Sequence, residues 1–447
     1  MSKTQWGEPI LYRQRRIWFV PALWVILAIV LGVFLNFVNL QSLSPNFTTV
    51  LMPGVLTPYL SSIASGMMAL TAIVFSLAFV FLQFGSSAYS PRLVSLFTTD
   101  RVVTNALGVF TGTFLFALVG LLLLNPNRPP LSDWTIAAVS FLWLLASVLL
   151  FVLLVRRINN LTIAVVLHMV GEHGRTVVEG MYPLAASNAP GTDESAHSAS
   201  PVPATELAPI SQTLRYVGGP AVVVEFRLSA LAELARQAEG VIEIKYAVGD
   251  VVADGSPVLY VHGGQHAISE NALREAIALG FERTIEQDPK YALRLLVDVG
   301  IKALSPAVND PTTAVMALNE IDDLLRRLGR SQLDVGYVRD AAGSVRVAYP
   351  TPSWEDLLSL AIDEIRFYGA NSYQIVRRLR ALLADLEPIV PKERRAAIQE
   401  QRARLETLVN RTFVDALDLH EAQQSDRQGI GLSRRMELEP IAEYTPG

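Results

Sequence analysis

Charged side chains are missing from a long part of this chain: between Ile17 and Pro91 there is no Asp, Glu, Lys, Arg or His. A water-soluble domain places charged residues at short intervals, because its surface must face water. Two further uncharged apolar segments follow, at residues 102–124 and 134–155. A helix needs about 20 apolar residues to cross the hydrocarbon core of a bilayer. The missing charge therefore excludes a soluble globular protein and predicts an integral membrane protein whose first partner is the lipid bilayer.

Cysteine is absent altogether, which excludes a disulfide framework, a thiolate metal site and a thiol nucleophile. Histidine is scarce, and His262 and His266 are separated by a glycine pair without a third ligand at a suitable spacing. The chain also lacks a glycine-rich phosphate loop, a serine nucleophile elbow and a zinc-protease motif. We therefore expect no cofactor, no metal and no catalytic residues, and we predict that the protein is not an enzyme.

Acidic residues are rare in the first part of the chain and abundant in the second. Up to Arg157 there are nine Lys and Arg residues against three acidic ones, which leaves 28 basic and 39 acidic residues for the remainder. A basic membrane part joined to an acidic soluble part lacks the concentrated basic face that nucleic-acid binding requires. We expect no nucleic-acid partner.

Four membrane spans are predicted, at residues 17–37, 63–84, 102–124 and 134–155. The basic residues of the short connections fall on one side of this arrangement, with Arg128 as the exception. Because basic loops stay in the cytoplasm, both termini are predicted to be cytoplasmic in a multi-pass protein of the inner (plasma) membrane. The uncharged, proline-containing connection 41–59 is interpreted either as an external cap or as a segment that re-enters the membrane.

The second predicted span carries small and polar residues at three- and four-residue steps. Such residues share one helix face, and here they are Ser62, Ser65, Ala69, Ala72, Ser76 and Gln83. One interpretation is helix packing, because small residues let backbones approach and hydroxyls bond across the contact. The other is a water-lined path at the axis of an oligomer. Ser62, Ser65, Ser76 and Gln83 are therefore candidates for pore lining or for helix packing.

The third predicted span contains Gly108-x-x-x-Gly112, a spacing that favours close helix packing. Asn105 and Thr111 lie nearby and join the pore-lining or packing candidates. None of the four spans contains an ionisable residue, which coupled pumps usually need within the membrane. The absence of such residues disfavours a coupled pump, so passive conduction or no transport is expected. The small-residue faces, with no charge to satisfy inside one protomer, predict a homo-oligomer.

After Arg157 the pattern becomes that of a soluble, cytoplasmic, mixed α/β domain, with a small β-rich module and a helical remainder. The predicted fold class is thus a four-helix transmembrane region joined to this domain. The predicted divisions are a basic N-terminus (1–16), the transmembrane region (17–157), a helix continuing the fourth span (158–184), a linker or disordered loop (185–210), the β-rich module (211–265), a helical α+β domain (266–420) and a tail (421–447).

Two predicted helices of the cytoplasmic part begin with Asp-Pro, at Asp288 and Asp310. An aspartate at the N-cap accepts a free first-turn N–H, and a proline at the next position needs no donor there. Capping is the favoured interpretation of both. The alternative is that the motif Asn309-Asp310-Pro311-Thr312-Thr313 holds a ligand, an ion or a protein partner of unknown identity at the helix N-terminus.

Two segments resemble a known family. They are residues 61–100, with Gln83-Phe84 and Ser90-Pro91-Arg92, and residues 281–328, with Arg283, Asp288, Ala303-Leu304-Ser305-Pro306 and the Asn309-Asp310-Pro311-Thr312-Thr313-Ala314 motif. Both resemble the bacterial predicted membrane proteins catalogued as domain of unknown function 2254. The resemblance implies a membrane topology and a bacterial origin, and it supplies no activity and no catalytic residues.

Two hypotheses of function follow from these patterns. The leading one is an oligomeric pore or channel-like protein with a cytoplasmic regulatory domain, because of the polar face of the second span. The alternative is a membrane-anchored cytoplasmic scaffold or ligand sensor without transport, in which the spans only pack against each other.

Overall fold

The computed structural model describes residues 10–37, 54–88, 101–123, 130–159, 162–183, 207–285 and 287–431. The chain divides into an N-terminal unit, residues 10–162, and a C-terminal unit that begins at Ile163. In its described part the N-terminal unit consists of helices α1 Ile10–Phe37, α2 Leu56–Ala88, α3 Arg101–Leu122 and α4 Pro130–Asn159.

Three of these helices are long and apolar enough to cross a membrane: the qualifying stretches are Leu56–Ser76 in α2, Val102–Leu122 in α3 and Leu131–Arg156 in α4. They overlap three of the four predicted spans, although the stretch in α2 begins seven residues before the predicted start at Ile63. The remaining prediction, residues 17–37, falls on α1, where the apolar stretch Phe19–Leu35 is shorter. Most of the connection predicted at 41–59 lies outside the described residues, although Tyr59 already belongs to α2.

Helix α3 lies in the middle of the N-terminal unit and packs against α1, α2 and α4. The core between the four helices is formed by small, aliphatic and aromatic residues, among them Ala28, Leu60, Ala106, Phe110, Phe116, Ala117 and Ile136. Trp143 of α4 packs edge-on against Trp24 of α1 and stacks with Phe116. The large exposed side chains point away from this core, as expected for surfaces that face lipid.

The C-terminal unit is a mixed α/β structure, in agreement with the fold class predicted from the sequence. In chain order its described elements are α5 Ile163–Met181, β1 Ile210–Arg215, β2 Ala221–Phe226, α6 Leu228–Gln237, β3 Gly240–Ile244, β4 Val251–Val252, β5 Pro257–Gly263, α7 Glu270–Glu275, β6 Ile277–Gly280, α8 Pro289–Ala303, α9 Pro311–Arg330, β7 Tyr337–Arg339, β8 Val345–Ala348, α10 Trp354–Tyr368, α11 Tyr373–Leu386, α12 Lys392–Thr412 and α13 Ala416–Ala422.

The strands form a five-stranded sheet in the order β1-β5-β3-β8-β7 and a three-stranded sheet in the order β4-β2-β6. Strands β3 and β8 are parallel, with Ile242 opposite Val347, and the other neighbours are antiparallel. Their β-branched residues contribute to a core that includes Val223, Ile242, Val258 and Val347. The sheets cross the boundary expected at residue 265, because β6, β7 and β8 come from the segment predicted to be a helical α+β domain.

Two further boundaries differ in detail from the sequence-based divisions. The helix expected to continue the fourth span over 158–184 is a separate element, because α4 ends at Asn159 and α5 begins at Ile163. Helix α5 buries Val166, Leu167 and Val170 within the C-terminal unit and packs on α8 and α9. The tail predicted from residue 421 begins as structured chain: α13 ends at Ala422, and Asp426 is buried with its N–H directed at the Arg377 carbonyl oxygen. Residues 184–206, most of the predicted linker, lie outside the described part.

Candidate functional site

The small and polar residues of α2 lie on a helix face that is exposed in the single chain. Its members with described side chains are Ser62, Ser65, Gly66, Ala69, Ala72 and Ser76, and we call this surface the small-residue face of α2. Gln83 also belongs to α2, but its side chain is outside the described part. Within this face the Ser62 hydroxyl donates to the Pro58 carbonyl oxygen at 2.7 Å, which satisfies it inside its own helix.

The opposite side of α2 packs against the rest of the N-terminal unit. The residues that it buries are Leu56, Leu60, Ile63, Ala64, Met67 and Val74. At 3.6 residues per turn, these residues and the small-residue face lie on opposite sides of the helix axis. Large exposed side chains border this face: Met68 and Phe75 lie on one flank, and Ile73 lies between Ser62 and Gly66 around the helix. Among the described residues, the small-residue face is exposed and is not buried by another helix of the same chain.

Asn105, a pore-lining or packing candidate on α3, is half-buried and forms a hydrogen bond with another helix of the same chain. The Trp24 indole Nε1 donates to Asn105 Oδ1 at 2.9 Å, which joins α1 to α3. Thr111, the other candidate on α3, is also half-buried. Neither side chain shares the exposure of the small-residue face of α2.

The two glycines of α3 lie where other helices approach closely. A Cβ at Gly108 would be 2.8 Å from Trp24 Cδ1 and 2.9 Å from Pro21 Cα, so α1 occupies the space that a side chain would need. A Cβ at Gly112 would be 3.0 Å from Trp143 Cζ3 of α4. Both glycines thus bring backbones together inside one protomer.

A buried polar contact between α3 and α4 was not singled out from the sequence. The hydroxyl oxygens of Thr113 and Ser147 are 2.9 Å apart, and both side chains are buried. Each hydroxyl also approaches a carbonyl oxygen four residues earlier, Val109 at 2.7 Å for Thr113 and Trp143 at 2.8 Å for Ser147. The sequence signal was weak, because a lone Ser or Thr in an apolar run does not show which way the helix turns it.

The Asn309–Thr313 motif ends the turn after α8 and begins α9. Asp310 is the N-cap of α9, and its carboxylate accepts from the Thr313 N–H at 3.1 Å and from the Thr313 hydroxyl at 2.6 Å. Pro311 occupies the first helical position, and Asn309 adopts a positive φ of 48°. The predicted capping role of Asp310 is confirmed, and its carboxylate is engaged within the turn.

Asp288 caps α8 in the same way, which confirms the second capping prediction, and it is buried. Its Oδ1 accepts from the Tyr291 N–H at 3.2 Å, and its Oδ2 accepts from Arg283 Nη2 at 2.6 Å and Nε at 3.0 Å. Burial raises the pKa of the Asp288 carboxyl, and the Arg283 guanidinium opposes that shift. Asp288 also lines a cavity of only about 40 Å³ with Tyr182 and Tyr349, and burial raises the pKa of both phenols. These hydroxyls therefore stay neutral at physiological pH.

Helix α5 is held to α9 by a cluster of charges. Arg175 Nη1 donates to Glu320 Oε2 and to Asp323 Oδ2, each at 2.9 Å, and its Nε and Nη2 donate to Glu172. Below this cluster Gly174 faces α8 and α9, where a Cβ would be 3.0 Å from the nearest atoms of Ala292 and Leu324. The charges and the glycine together fix α5 on the C-terminal unit.

A cavity of about 570 Å³ opens beside the end of α5. Its wall contains three arginines of α9 together with two carboxylates and a tyrosine, namely Arg326, Arg327, Arg330, Glu179, Asp323 and Tyr182. Arg327 pairs with Asp323 at 3.1 Å and also with Glu179. This cavity has the size of a small-molecule site and walls that carry both signs of charge.

Among the described residues, no group of three or more His, Asp and Glu side chains has an arrangement suited to a metal ion. His262 lies in the sheet with Nδ1 2.8 Å from the Ala208 carbonyl oxygen and Nε2 2.9 Å from Glu243 Oε2. These contacts give His262 a role in holding the start of β1 on the neighbouring strand.

Comparison with known proteins identifies the relatives of this chain. It is 27% identical over 426 residues to an uncharacterized protein of Mycobacterium bovis, Mb1321c, covering 91% of this chain and 78% of the relative. The uncharacterized protein Rv1290c of Mycobacterium tuberculosis matches with the same identity and coverage. No solved structure gives a significant match.

The family model described as "Predicted membrane protein (DUF2254)" matches residues 14–385, which include the described helices of the N-terminal unit from Gln14 onward and the C-terminal unit as far as Asp385. This match confirms the resemblance noted in the sequence and agrees with the three membrane-length helices. The chain therefore belongs to the DUF2254 family of predicted membrane proteins.

Proposed function

We propose that the protein forms a homo-oligomeric pore or channel-like assembly in the inner (plasma) membrane, with α2 next to the axis. In this proposal the C-terminal unit is a cytoplasmic regulatory domain. The observation that carries the proposal is the exposure of Ser62, Ser65, Gly66, Ala69, Ala72 and Ser76 opposite the buried side of α2.

The composition of this face supports contact with other copies of the chain rather than with lipid alone. Small residues give little apolar contact to acyl chains but allow helix backbones to approach closely. Ser65 and Ser76 present hydroxyls on the same face, and hydroxyls suit either an interhelical hydrogen bond or a hydrated path. No ionisable residue lies in the predicted spans, which favours passive movement over coupled transport.

We further propose four membrane spans, with α1 as the first, and both termini in the cytoplasm. Helix α1 is 28 residues long, which exceeds the about 20 residues needed to cross the hydrocarbon core, although its most apolar stretch is shorter. The Lys and Arg asymmetry of the loops supports the orientation. Reporter fusions after Leu40, Arg92, Asn127 and Arg157 test it, and a periplasmic signal after Arg157 would overturn the scheme.

The pore proposal is tested by reconstituting the purified protein in bilayers and measuring conductance and solute flux under voltage, tension and pH steps. We expect flux in the wild type and a several-fold reduction in Ser76→Leu, which enlarges a residue of the small-residue face. The matched control is Ala146→Leu, an exposed position of α4 beside the exposed Leu142 and Leu145, where we expect no change. Absence of flux, or equal flux in the wild type and Ser76→Leu, would contradict the proposal.

Oligomerisation is tested independently by mass measurement in mild detergent or nanodiscs. We expect a particle of several copies of the 49.0 kDa chain, and Ser76→Leu is expected to shift the mass distribution. A strictly monomeric particle would remove the pore proposal as well.

The alternative proposal is a membrane-anchored scaffold or ligand sensor, in which the spans conduct nothing. The cavity of about 570 Å³ beside the end of α5 favours a sensor over a plain anchor, because it has the size of a small-molecule site. A stable oligomer that shows no flux would favour this alternative over the pore. Both proposals assume that the protein catalyses no reaction. Conversion of any member of a small-molecule library by the purified protein would contradict this assumption.

A further inference from the structure

Two tyrosines of the C-terminal unit, Tyr182 and Tyr349, share the cavity of about 40 Å³ beside the start of α8. Tyr182 directly follows α5, Tyr349 directly follows β8, and Lys290, a third wall residue, lies in the first turn of α8. The cavity therefore joins three elements that are far apart in the chain. It is called the tyrosine cavity below.

Tyr182 is buried, and its hydroxyl makes no hydrogen bond within the described part of the chain. Only 3% of Tyr182 is exposed, and its backbone N–H donates to the Val178 carbonyl oxygen. The hydroxyl is not one of the fully enclosed polar atoms that lack a partner, so a water-sized particle reaches it through the cavity. Buried polar groups nearly always have a hydrogen-bond partner in native proteins. A free hydroxyl in the wall therefore indicates that something occupies the cavity.

Tyr349 supplies a second hydroxyl to the same cavity. It is half-buried, and its backbone N–H is taken by the Gly336 carbonyl oxygen at 2.8 Å, whereas its hydroxyl has no hydrogen bond to any described residue. The two phenols are near enough to interact electrostatically without being bonded to each other. Burial raises the pKa of both, so each keeps an O–H that it can donate. A particle between them can accept both hydrogen bonds.

The charges around the tyrosine cavity identify the sign of that particle. Both oxygens of Asp288 are already used, since Oδ1 accepts from the Tyr291 N–H and Oδ2 from Arg283. Lys290 lies near Asp288 and makes no ion pair of its own with the described carboxylates. Two positive charges thus face one negative charge. The N-terminal end of α8, a helix of 15 residues, also favours negative charge.

We propose that the tyrosine cavity binds a monatomic anion of the size of chloride, through the Tyr182 and Tyr349 hydroxyls beside Lys290. A space of about 40 Å³ is little larger than the about 30 Å³ that a water molecule takes up in the liquid, so a chloride ion fits better than a phosphate group. A cation would need free acceptor oxygens, and Asp288 has none to offer. Chloride held there links the end of α5 to the start of α8.

The site goes beyond the proposed function and does not depend on it, because it makes no use of the small-residue face of α2. The test uses the full chain in neutral detergent, with sodium gluconate replaced stepwise by sodium chloride at constant ionic strength. Broadening of the chloride NMR signal reports binding, and thermal unfolding reports its effect on stability. We expect saturable broadening and a rise in unfolding temperature, because a ligand that binds only the folded state stabilises it.

Three variants locate the bound ion. Tyr182→Phe and Tyr349→Phe each remove one hydroxyl and keep the ring, and we expect each to weaken chloride binding several-fold, as does Lys290→Gln. Tyr260→Phe is the matched control, because Tyr260 is also partly buried but lies on β5 and does not line the cavity. We expect it to leave chloride binding unchanged.

A comparison without chloride separates lost binding from a damaged fold. In gluconate alone, Tyr182→Phe should be at least as stable as the wild type, because it removes a buried hydroxyl that has no partner. In saturating chloride the order should reverse. If Tyr182→Phe does not fold, as judged by circular dichroism, Tyr349→Phe and Lys290→Gln carry the test.

The proposal is wrong if chloride neither broadens saturably nor stabilises the protein beyond gluconate, a result that would leave water as the occupant of the cavity. It is also wrong if binding survives in all three variants, or if Tyr260→Phe weakens it as much as they do. A response that follows the exchange of sodium for potassium at constant chloride would place a cation in the site and overturn the anion.

Discussion

Trp24 of α1 donates its indole N–H to the Asn105 side-chain oxygen of α3 at 2.9 Å. A few residues further along α3, Gly108 and Gly112 let α1 approach without side chains between the helices. The contact between α1 and α3 thus combines one polar link with close backbone packing, the two devices that hold helices together where apolar burial provides no preference.

We expect Asn105→Ala to destabilise the N-terminal unit by about 1 kcal/mol, because the Trp24 N–H loses its acceptor in an apolar setting. A double-mutant cycle with Trp24→Phe isolates the pair, and unfolding in mixed micelles measures each variant. A coupling energy close to zero would show that the hydrogen bond contributes nothing.

Gly108→Ala is expected to cost about 1–3 kcal/mol relative to Gly66→Ala, because the new methyl group meets Trp24 and the Pro21 backbone. Gly66 is the control: a Cβ there meets nothing within 4 Å in a single chain, and both substitutions gain the same helix propensity. Thermal unfolding of the monomer in detergent measures the difference. Equal stabilities would mean that α1 does not approach α3 as described.

Arg175→Ala should destabilise the docking of α5 by about 2 kcal/mol, because it leaves the carboxylates of Glu320 and Asp323 without their shared guanidinium. Hydrogen exchange of the α5 amides is the measurement, and faster exchange confined to α5 is the expected result. Arg236→Ala breaks an exposed pair with Glu233 and is expected to change nothing measurable. Exchange that is equal in both variants would contradict the role of the cluster.

The Arg427–Asp385 pair predicts a pH dependence with a definite sign. Its hydrogen bond lowers the pKa of Asp385 in the folded state. The pair therefore stabilises the fold above the unfolded pKa of about 4, and this contribution disappears as the pH falls through the lower folded pKa. Urea unfolding at several pH values should show wild type more stable than Asp385→Asn by up to about 1 kcal/mol at pH 7, with the gap closing at acid pH.

The control for that series is Asp334→Asn, because Asp334 is exposed and its replacement should change the stability little. A gap between wild type and Asp385→Asn that widens toward acid pH would reverse the sign and contradict the assignment.

The helices and strands of this protein were largely predictable because their signals are local. The two Asp-Pro dipeptides predicted to cap helices are found at the starts of α8 and α9. The parallel pairing of β3 with β8 was not predictable, because it joins segments about 100 residues apart and leaves no periodic trace in either. The expected boundary at residue 265 consequently does not separate the sheets.

The candidate site shows the same division. The spacing of Ser62, Ser65 and Ser76 put them on one face of a helix, and the helix period alone determines this. Spacing does not show which face of α2 meets α3, so the sequence placed Asn105 and the serines of α2 in one group of candidates. In the folded chain, Asn105 bonds to Trp24, whereas the small-residue face of α2 is exposed.

Missing charge and local periodicity are properties of the chain, so the amino-acid pattern alone indicates a membrane protein with a separate mixed α/β part. The packing of α5 on α8 and α9, and the meeting of Arg378, Arg427 and Asp385 at one cavity, are visible only in the folded chain. These residues stand on elements far apart in the chain, and their meeting depends on how apolar helix faces pack. Packing chooses among arrangements that share the same local pattern.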